Sequence, residues 1–230
     1  SSILLLSAAG SILAMLGIFY AASARARGRL AGLIAAGVFT LAASDYRLQG
    51  NEANTELFMN ACLAWAFGVL LRLHPAHVRF GLACVVGGLV SIASLFKTVA
   101  VVHAAAFAAA YLLGHRKGPG LRVALTQVAA MALGSAIPWL VAFGWTWARG
   151  SLDAMLEAVF EYNRFYSGIG GLGIGGNLVR SFLPKNLASP AMLAALPLVV
   201  FIVLGVLAGR RRRVSRSGCL VIAYVVASHV

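Results

Sequence analysis

The carboxylates of this sequence are few and clustered. Six Asp and Glu residues stand against nineteen Lys and Arg in 230 residues, and Glu52 and Glu56 both fall in the nonapeptide NEANTELFM. Glu56 precedes an apolar run, and two interpretations of it stay open. An acidic residue is favoured by the helix dipole in the first turn of a helix. Alternatively, Glu56 faces an external cavity as a base, a metal ligand or a hydrogen-bond acceptor for a sugar hydroxyl.

Lys97 is the second candidate for chemistry, because it is the single Lys, Arg, Asp or Glu in the apolar region 80–113. A charged side chain in such a region is costly and usually faces protein, water or a ligand. Lys97 therefore either anchors an anionic head group, such as a phosphate, or extends its ammonium group to the membrane surface.

A second acidic cluster lies in the segment SLDAMLEAVFEYNRFY. Its apolar residues recur at helical spacing, and Asp153, Glu157 and Glu161 fall on the other side. The pattern predicts an amphipathic helix at about 151–166 on the outer membrane surface, with Ser151 as its N-cap. Such a helix either serves only as an anchor or borders a site where lipid substrates enter.

The elements that must carry these residues are long apolar segments. Apolar residues make up 61% of the chain, and the charged residues gather between apolar runs of roughly 15–25 residues, about the length of a helix that crosses a bilayer. This predicts an all-α fold, a polytopic transmembrane helix bundle with about seven complete spans and a truncated one. The predicted spans are 2–22, 30–44, 56–71, 80–95, 98–113, 122–147, 191–209 and an incomplete 218–230.

Residues 1–230 are predicted to form a single transmembrane domain. We expect it to be an internal piece of a longer protein, because the sequence starts without a Met and within an apolar run. Its external parts are the surface helix and a glycine-rich loop at about 167–190. The stretch GIGGLGIGG in this loop lacks the strand and βαβ unit that a dinucleotide-binding fingerprint requires.

The charges sort by side. Thirteen basic residues and no acidic residue lie in four loops, 25–29, 72–79, 115–122 and 210–216. The positive-inside rule places these loops in the cytoplasm, so 45–56 and 149–190 face outward. Residues 80–113 then cross twice, with a turn at Lys97 and Thr98. The net charge of +13 is explained by topology and by attraction to anionic membrane lipids, and no nucleic-acid partner is expected.

Three stretches occur in an order that resembles a known family. ANTELFM opens a span, GGLVSIASLFKTVAVVHAAAF places Lys97 in a tight hairpin, and FEYNRFYSG follows a span that ends in aromatic residues. Over nearly the whole chain the sequence resembles the membrane-embedded C-type (GT-C) glycosyltransferases. It is similar in particular to bacterial relatives of dolichyl-phosphate-mannose protein mannosyltransferases and of aminoarabinose transferases.

The resemblance implies a multi-pass glycosyltransferase of the bacterial inner membrane. Its donor would be a polyprenyl-phosphate sugar, and its acceptor a glycan, lipid or protein on the outer face. Glu56 holds the family's acidic position at the start of a span and is the expected catalytic residue. Lys97, Asn163 and Arg164 match the family's residues near the carrier phosphate and are the expected substrate-binding residues. No cofactor is implied with certainty, and no metal ligand is identified, although a divalent metal stays open.

The family's principal catalytic acids lie in a first external loop, so this chain is expected to begin after its main base.

Two other classes of protein stay open. A transporter should show repeated halves or helices broken in mid-membrane, and Pro138 is the one notable mid-span proline. A structural membrane subunit would need no cluster of external acids.

Impermeant thiol labelling tests the predicted sidedness. In a variant without native cysteines, a cysteine at Gln49 should react in intact cells, because 45–56 is predicted to face outward. A cysteine at Gly118, in a basic loop, should react only after the cells are opened. The opposite pattern would contradict the topology.

Overall fold

A computed structural model describes residues 2–24, 28–43, 55–74, 76–115 and 120–161. Regular structure in these residues is helical and includes no strand, which confirms the all-α class. The helices are α1 (Ser2–Ala22), α2 (Gly28–Ala43), α3 (Thr55–Leu70), α4 (Phe80–Phe96), α5 (Val101–His115), α6 (Gly120–Ala148) and α7 (Leu152–Leu156). A 3₁₀ turn, Thr98–Ala100, precedes α5, and a π-helical turn, Glu157–Glu161, follows α7. The predicted spans 191–209 and 218–230 and the glycine-rich loop lie outside the described residues.

The charged clusters located the helix ends well. Each of the six spans predicted between residues 2 and 147 coincides with a helix to within three residues at either end. Helices α1 and α6 are long and apolar enough to cross a membrane, and α2 to α5 are shorter apolar helices. The bundle of seven membrane spans therefore stays a prediction.

The described residues form two compact units, one up to Trp139 and one from Leu140. In the first unit, small residues let α1 lie close to α3. The buried residues of α1 are Ser7, Gly10, Ala14, Gly17 and Ala21, spaced three and four apart. Gly10 lies against Leu57 and Gly17 lies against Trp65, so the two helices run in the same direction. Small residues at a helix interface allow the two backbones to approach closely.

Helix α2 runs back along α1. Gly32 lies against Phe19, and the hydroxyl of Thr40 donates a hydrogen bond to the sulfur of Met15 at 3.4 Å. The ring of Phe39 packs on the cluster that α1 forms with α3. The first three helices therefore form a layer in which α2 is antiparallel to the other two.

Two glycines bring the backbones of α4 and α6 into contact. A Cβ added at Gly87 would lie 2.7 Å from the carbonyl carbon of Met131, and one added at Gly134 would lie 2.6 Å from Cα of Cys84. The hydroxyl of Ser135 donates a hydrogen bond to the carbonyl oxygen of Gly87 at 3.0 Å. No side chain fits between these helices at their crossing, so both positions require glycine.

Polar contacts join the helices at the end of the bundle opposite Glu56. Arg72 donates a hydrogen bond to the hydroxyl of Ser23 at 3.0 Å, and its guanidinium carbon lies 3.5 Å from the centroid of the Tyr20 ring. Arg72 also donates to the carbonyl oxygen of Gly68 at 2.9 Å. These contacts hold the ends of α1 and α3 together.

Buried Gln127 of α6 completes this end. Its amide nitrogen donates to the carbonyl oxygens of His77 at 2.9 Å and His74 at 3.3 Å, and its oxygen accepts from the hydroxyl of Tyr111. The basic residues of the described helices and loops at this end are Arg29, Arg72, Arg79 and Arg122. This grouping agrees with the predicted alternation of helix directions. Which end faces the cytoplasm stays a prediction.

The second unit contains the end of α6 and the start of the predicted surface helix. Ser151 is the N-cap of α7, as predicted, but its hydroxyl donates to the carbonyl oxygen of Thr146 at 3.3 Å and does not cap the helix. The guanidinium of Arg149 lies 4.6 Å from the centroid of the Trp145 ring. These contacts brace the turn between α6 and α7.

The surface helix differs from the prediction in pitch. It is α-helical to Leu156 and π-helical from Glu157 to Glu161, and residues 162–166 lie outside the described residues. Asp153, Glu157 and Glu161 are exposed, as are the apolar residues Leu156 and Phe160. The amphipathic membrane-surface helix stays a prediction. A π turn is wider than an α turn and rotates the side chains that follow it.

Substitution of Gly134 by Ala should destabilise the protein, because the added methyl group meets the backbone of α4. Overpacking of this kind costs about 1–3 kcal/mol. Gly144→Ala, in the same helix, is the matched control, since nothing lies within 4 Å of a Cβ there. Thermal unfolding in detergent, followed by circular dichroism, should show a lower midpoint for Gly134→Ala alone. Equal midpoints would contradict the close approach of α4 and α6.

Candidate functional site

The two charged candidates of the first unit lie at helix ends that meet. Helices α3 and α4 are antiparallel neighbours of 16 and 17 residues, joined by the loop 71–79. Because an α-helix rises about 1.5 Å per residue, the start of α3 and the end of α4 lie at nearly the same level. Glu56 is in the first turn of α3, and Lys97 directly follows α4. The hairpin therefore brings together two residues that are 41 positions apart.

Glu56 and Lys97 form an ion pair. The ammonium nitrogen Nζ of Lys97 donates a hydrogen bond to Oε1 of Glu56. Lys97 is 45% exposed and Glu56 is 55% exposed, so both remain accessible to a ligand from solvent. Exposed ion pairs contribute only about 0–1 kcal/mol, because water and salt compete for both partners. The pair therefore orients the two side chains without strongly stabilising the bundle.

A break in the helical backbone sets the position of Lys97. Its φ of −152° and ψ of 116° are extended, its N–H donates to the carbonyl oxygen of Ala93 at 3.1 Å, and its own carbonyl oxygen accepts from Ala100 at 3.0 Å. One extended residue therefore separates α4 from the 3₁₀ turn that begins at Thr98. The break that the sequence predicted at Lys97 and Thr98 is confirmed.

An aromatic pair lies beside the ion pair. The rings of Phe58 and Phe96 are stacked, with centroids 5.5 Å apart and planes at 26°. Aromatic pairs contribute about 0.5–1.5 kcal/mol beyond the area that they bury, so this contact holds α3 to α4 at least as firmly as the ion pair does. The sequence did not predict the pair. The feature of the sequence that could have indicated this pair is a Phe within two residues of each charged residue, in the segments ELF and LFK.

The structure does not describe the other predicted site residues. Asn163 and Arg164 lie outside the described residues, as do Asp45 and Glu52. Within the described ranges, no group of three or more His, Cys, Asp and Glu side chains could hold a metal ion. The site that the structure describes therefore consists of one carboxylate, one ammonium group and two aromatic rings.

An apolar cavity of about 120 Å³ lies between α4, α5 and α6. Its lining is largely apolar and includes Val86, Val90, Phe107 and Met131. Val90 precedes Lys97 by seven residues, which corresponds to roughly 10 Å along α4. Walls of this composition favour hydrocarbon and disfavour charged ligands.

No protein-family model matches the chain, and neither a curated protein nor a solved structure is significantly similar to it. The function is therefore inferred from the chemistry of the residues at the site and from the sequence motifs that contain them.

Proposed function

We propose that the chain is a multi-pass membrane glycosyltransferase. It moves a sugar from a polyprenyl-phosphate carrier to an acceptor hydroxyl on the outer face of the bacterial inner membrane. The observation that carries the proposal is the Glu56–Lys97 pair, at the end of the bundle opposite the basic residues. One accessible site there contains a carboxylate that can bind a hydroxyl and an ammonium group that can bind a phosphate.

The surface of the long helices supports the membrane part of the proposal. In the most apolar stretches of α1 and α6, only 22% and 17% of the residues are buried. Large apolar side chains are exposed along both helices, including Leu4 at 72% and Leu140 at 67%. Extended apolar surface of this kind is rare on soluble monomers and is expected where lipid covers the helix. The shorter apolar helices α2 to α5 are the further proposed membrane spans.

The chemistry of sugar transfer uses both members of the pair. The acceptor hydroxyl attacks the anomeric carbon of the donor sugar, and the bond from that carbon to the phosphate oxygen breaks. The phosphate leaves with the electron pair, and Lys97 stabilises its negative charge. Asn163 and Arg164, which the sequence resemblance implies as further phosphate ligands, lie outside the described residues. The proton of the acceptor hydroxyl passes to a carboxylate. This reaction needs no soluble nucleotide sugar.

Glu56 is proposed to orient the acceptor hydroxyl by accepting its hydrogen bond. It lies in the first turn of α3, so the helix fixes the direction of its side chain. Its ion pair with Lys97 places the carboxylate of Glu56 beside the proposed binding position of the phosphate. Carboxylates are ligands for divalent metal ions, so Glu56 is the residue of this site that would bind such an ion.

Glu56→Gln should slow sugar transfer while leaving expression and membrane insertion intact. The substitution keeps the shape and removes the negative charge, so we expect a loss of at least roughly tenfold, or about 1.4 kcal/mol of transition-state stabilisation. Glu52→Gln is the matched control and should be near wild type. Transfer from a polyprenyl-phosphate sugar by the full-length protein is the measurement. A wild-type rate for Glu56→Gln would leave Glu56 as a residue that only favours the helix start.

Neutral substitutions of Lys97 and Arg164 should weaken binding of the donor. Loss of a charge-assisted hydrogen bond is worth about 1.5–3 kcal/mol, which corresponds to roughly 10–150-fold in affinity. Arg164→Lys should restore binding only in part, because Lys lacks the bidentate guanidinium. Arg149→Gln is the control: it neutralises an exposed arginine that is not assigned to the phosphate site, so donor affinity should not change. Unchanged donor affinity in Lys97→Gln and Arg164→Gln would remove both residues from the phosphate site.

A further inference from the structure

We infer that Glu56 competes with the donor's phosphate for Lys97, so that the ion pair is the resting state of the site and phosphate binding opens it. The inference rests on the proposed function. It adds a consequence for the site: the phosphate takes the place of Glu56 at Lys97, and both carboxylate oxygens of Glu56 are then free for the acceptor hydroxyl.

The geometry makes the two interactions compete. The ammonium group of Lys97 is already engaged by Oε1 of Glu56. A phosphate that approaches the same ammonium group brings negative charge next to the carboxylate, and like charges at contact distance repel each other. Among the described residues, Lys97 is the one cation that pairs with Glu56, so a phosphate that binds Lys97 must displace this carboxylate or lie against it.

The structure also lets the pair open without moving a helix. Lys97 is held by backbone hydrogen bonds at the break after α4, and the stacked rings of Phe58 and Phe96 hold the two helices in place. Only the two half-exposed side chains must rotate. A phosphate offers several oxygens for charge-assisted hydrogen bonds, whereas in the resting pair only one carboxylate oxygen contacts Nζ. Phosphate therefore displaces the carboxylate at modest cost.

This competition predicts the effect of Glu56→Gln on phosphate affinity. Here the substitution frees Lys97, and the affinity for phosphate should rise by the strength of an exposed ion pair, about two- to fivefold. In steady-state kinetics, the KM for the donor should fall together with kcat.

The test measures binding of a polyprenyl phosphate without sugar to the full-length protein in nanodiscs. Wild type, Glu56→Gln, Lys97→Gln and the double variant form a mutant cycle. We expect Glu56→Gln to bind about two- to fivefold more tightly and Lys97→Gln to bind more weakly. When Lys97 is already replaced, Glu56→Gln should have a smaller effect, because it then removes only the repulsion between carboxylate and phosphate. Glu157→Gln, which removes an exposed acid from the second unit, should match wild type.

Two further probes identify the source of the phosphate. Neutral polyprenol should bind wild type and Glu56→Gln equally, and tighter binding of polyprenol to Glu56→Gln would overturn the inference. If inorganic phosphate alone binds with the same dependence on Glu56, the competition stands and a free phosphate suffices to open the pair.

The outcomes separate this inference from the proposed function. If Lys97→Gln weakens binding of polyprenyl phosphate but Glu56→Gln does not strengthen it, the competition is wrong and the phosphate site stands. If Lys97→Gln leaves the affinity unchanged, the phosphate site itself is wrong, and the inference falls with it.

Discussion

Helices α3 and α4 are antiparallel and of nearly equal length. Their packing therefore decides which residues meet at each end of the first unit. At one end the loop between them meets the buried amide of Gln127, which holds two of its carbonyl oxygens. At the other end the first turn of α3 meets the residue that follows α4. A helix longer or shorter by one turn would move its end by about 5.4 Å, and Glu56 would no longer reach Lys97.

Small residues keep this hairpin in place from both sides. On one side, the stripe of Gly, Ala and Ser in α1 packs against α3, and on the other, Gly87 and Gly134 let α4 and α6 touch through their backbones. Interfaces of this type depend on close packing and on hydrogen bonds between helices. The rigidity of the site is thus supplied by packing, and the exposed ion pair is free to change partners.

The contrast between the two ends of the bundle follows from what each contains. At the basic end, Arg72 contacts the ring of Tyr20, the hydroxyl of Ser23 and the carbonyl oxygen of Gly68, whereas Arg29, Arg79 and Arg122 are exposed. The contacts of Arg72 are internal and leave its guanidinium only partly exposed. At the opposite end of the first unit, Glu56 and Lys97 are exposed, and among the described residues each forms its ion pair with the other. Saturated contacts suit a structural role, and an accessible pair of opposite charges suits the binding of a polar ligand.

The sequence by itself determined where the helices lie. Their ends follow from local causes: a charged cluster ends an apolar run, and the lone Lys97 interrupts the region 80–113. The sequence also selected Glu56 and Lys97 as candidates, because charge is scarce and each lies at a predicted helix end. The sequence could not determine the rotation of each helix about its axis, which decides which face of the helix contacts its neighbours. Helices such as α1 and α6 are apolar on all sides, so no polar stripe marks the face that meets a neighbour.

Only the tertiary structure decided which residues meet. It placed Glu56 on Lys97 and Phe58 on Phe96, and it brought Gly87 to the backbone of α6. It also changed the pitch of the surface helix after Leu156. These outcomes depend on the rotation of each helix about its axis and on contacts between residues about 40 to 50 positions apart, such as Ser135 with Gly87. Such contacts arise when whole helix surfaces pack together, and no local pattern of residues encodes them.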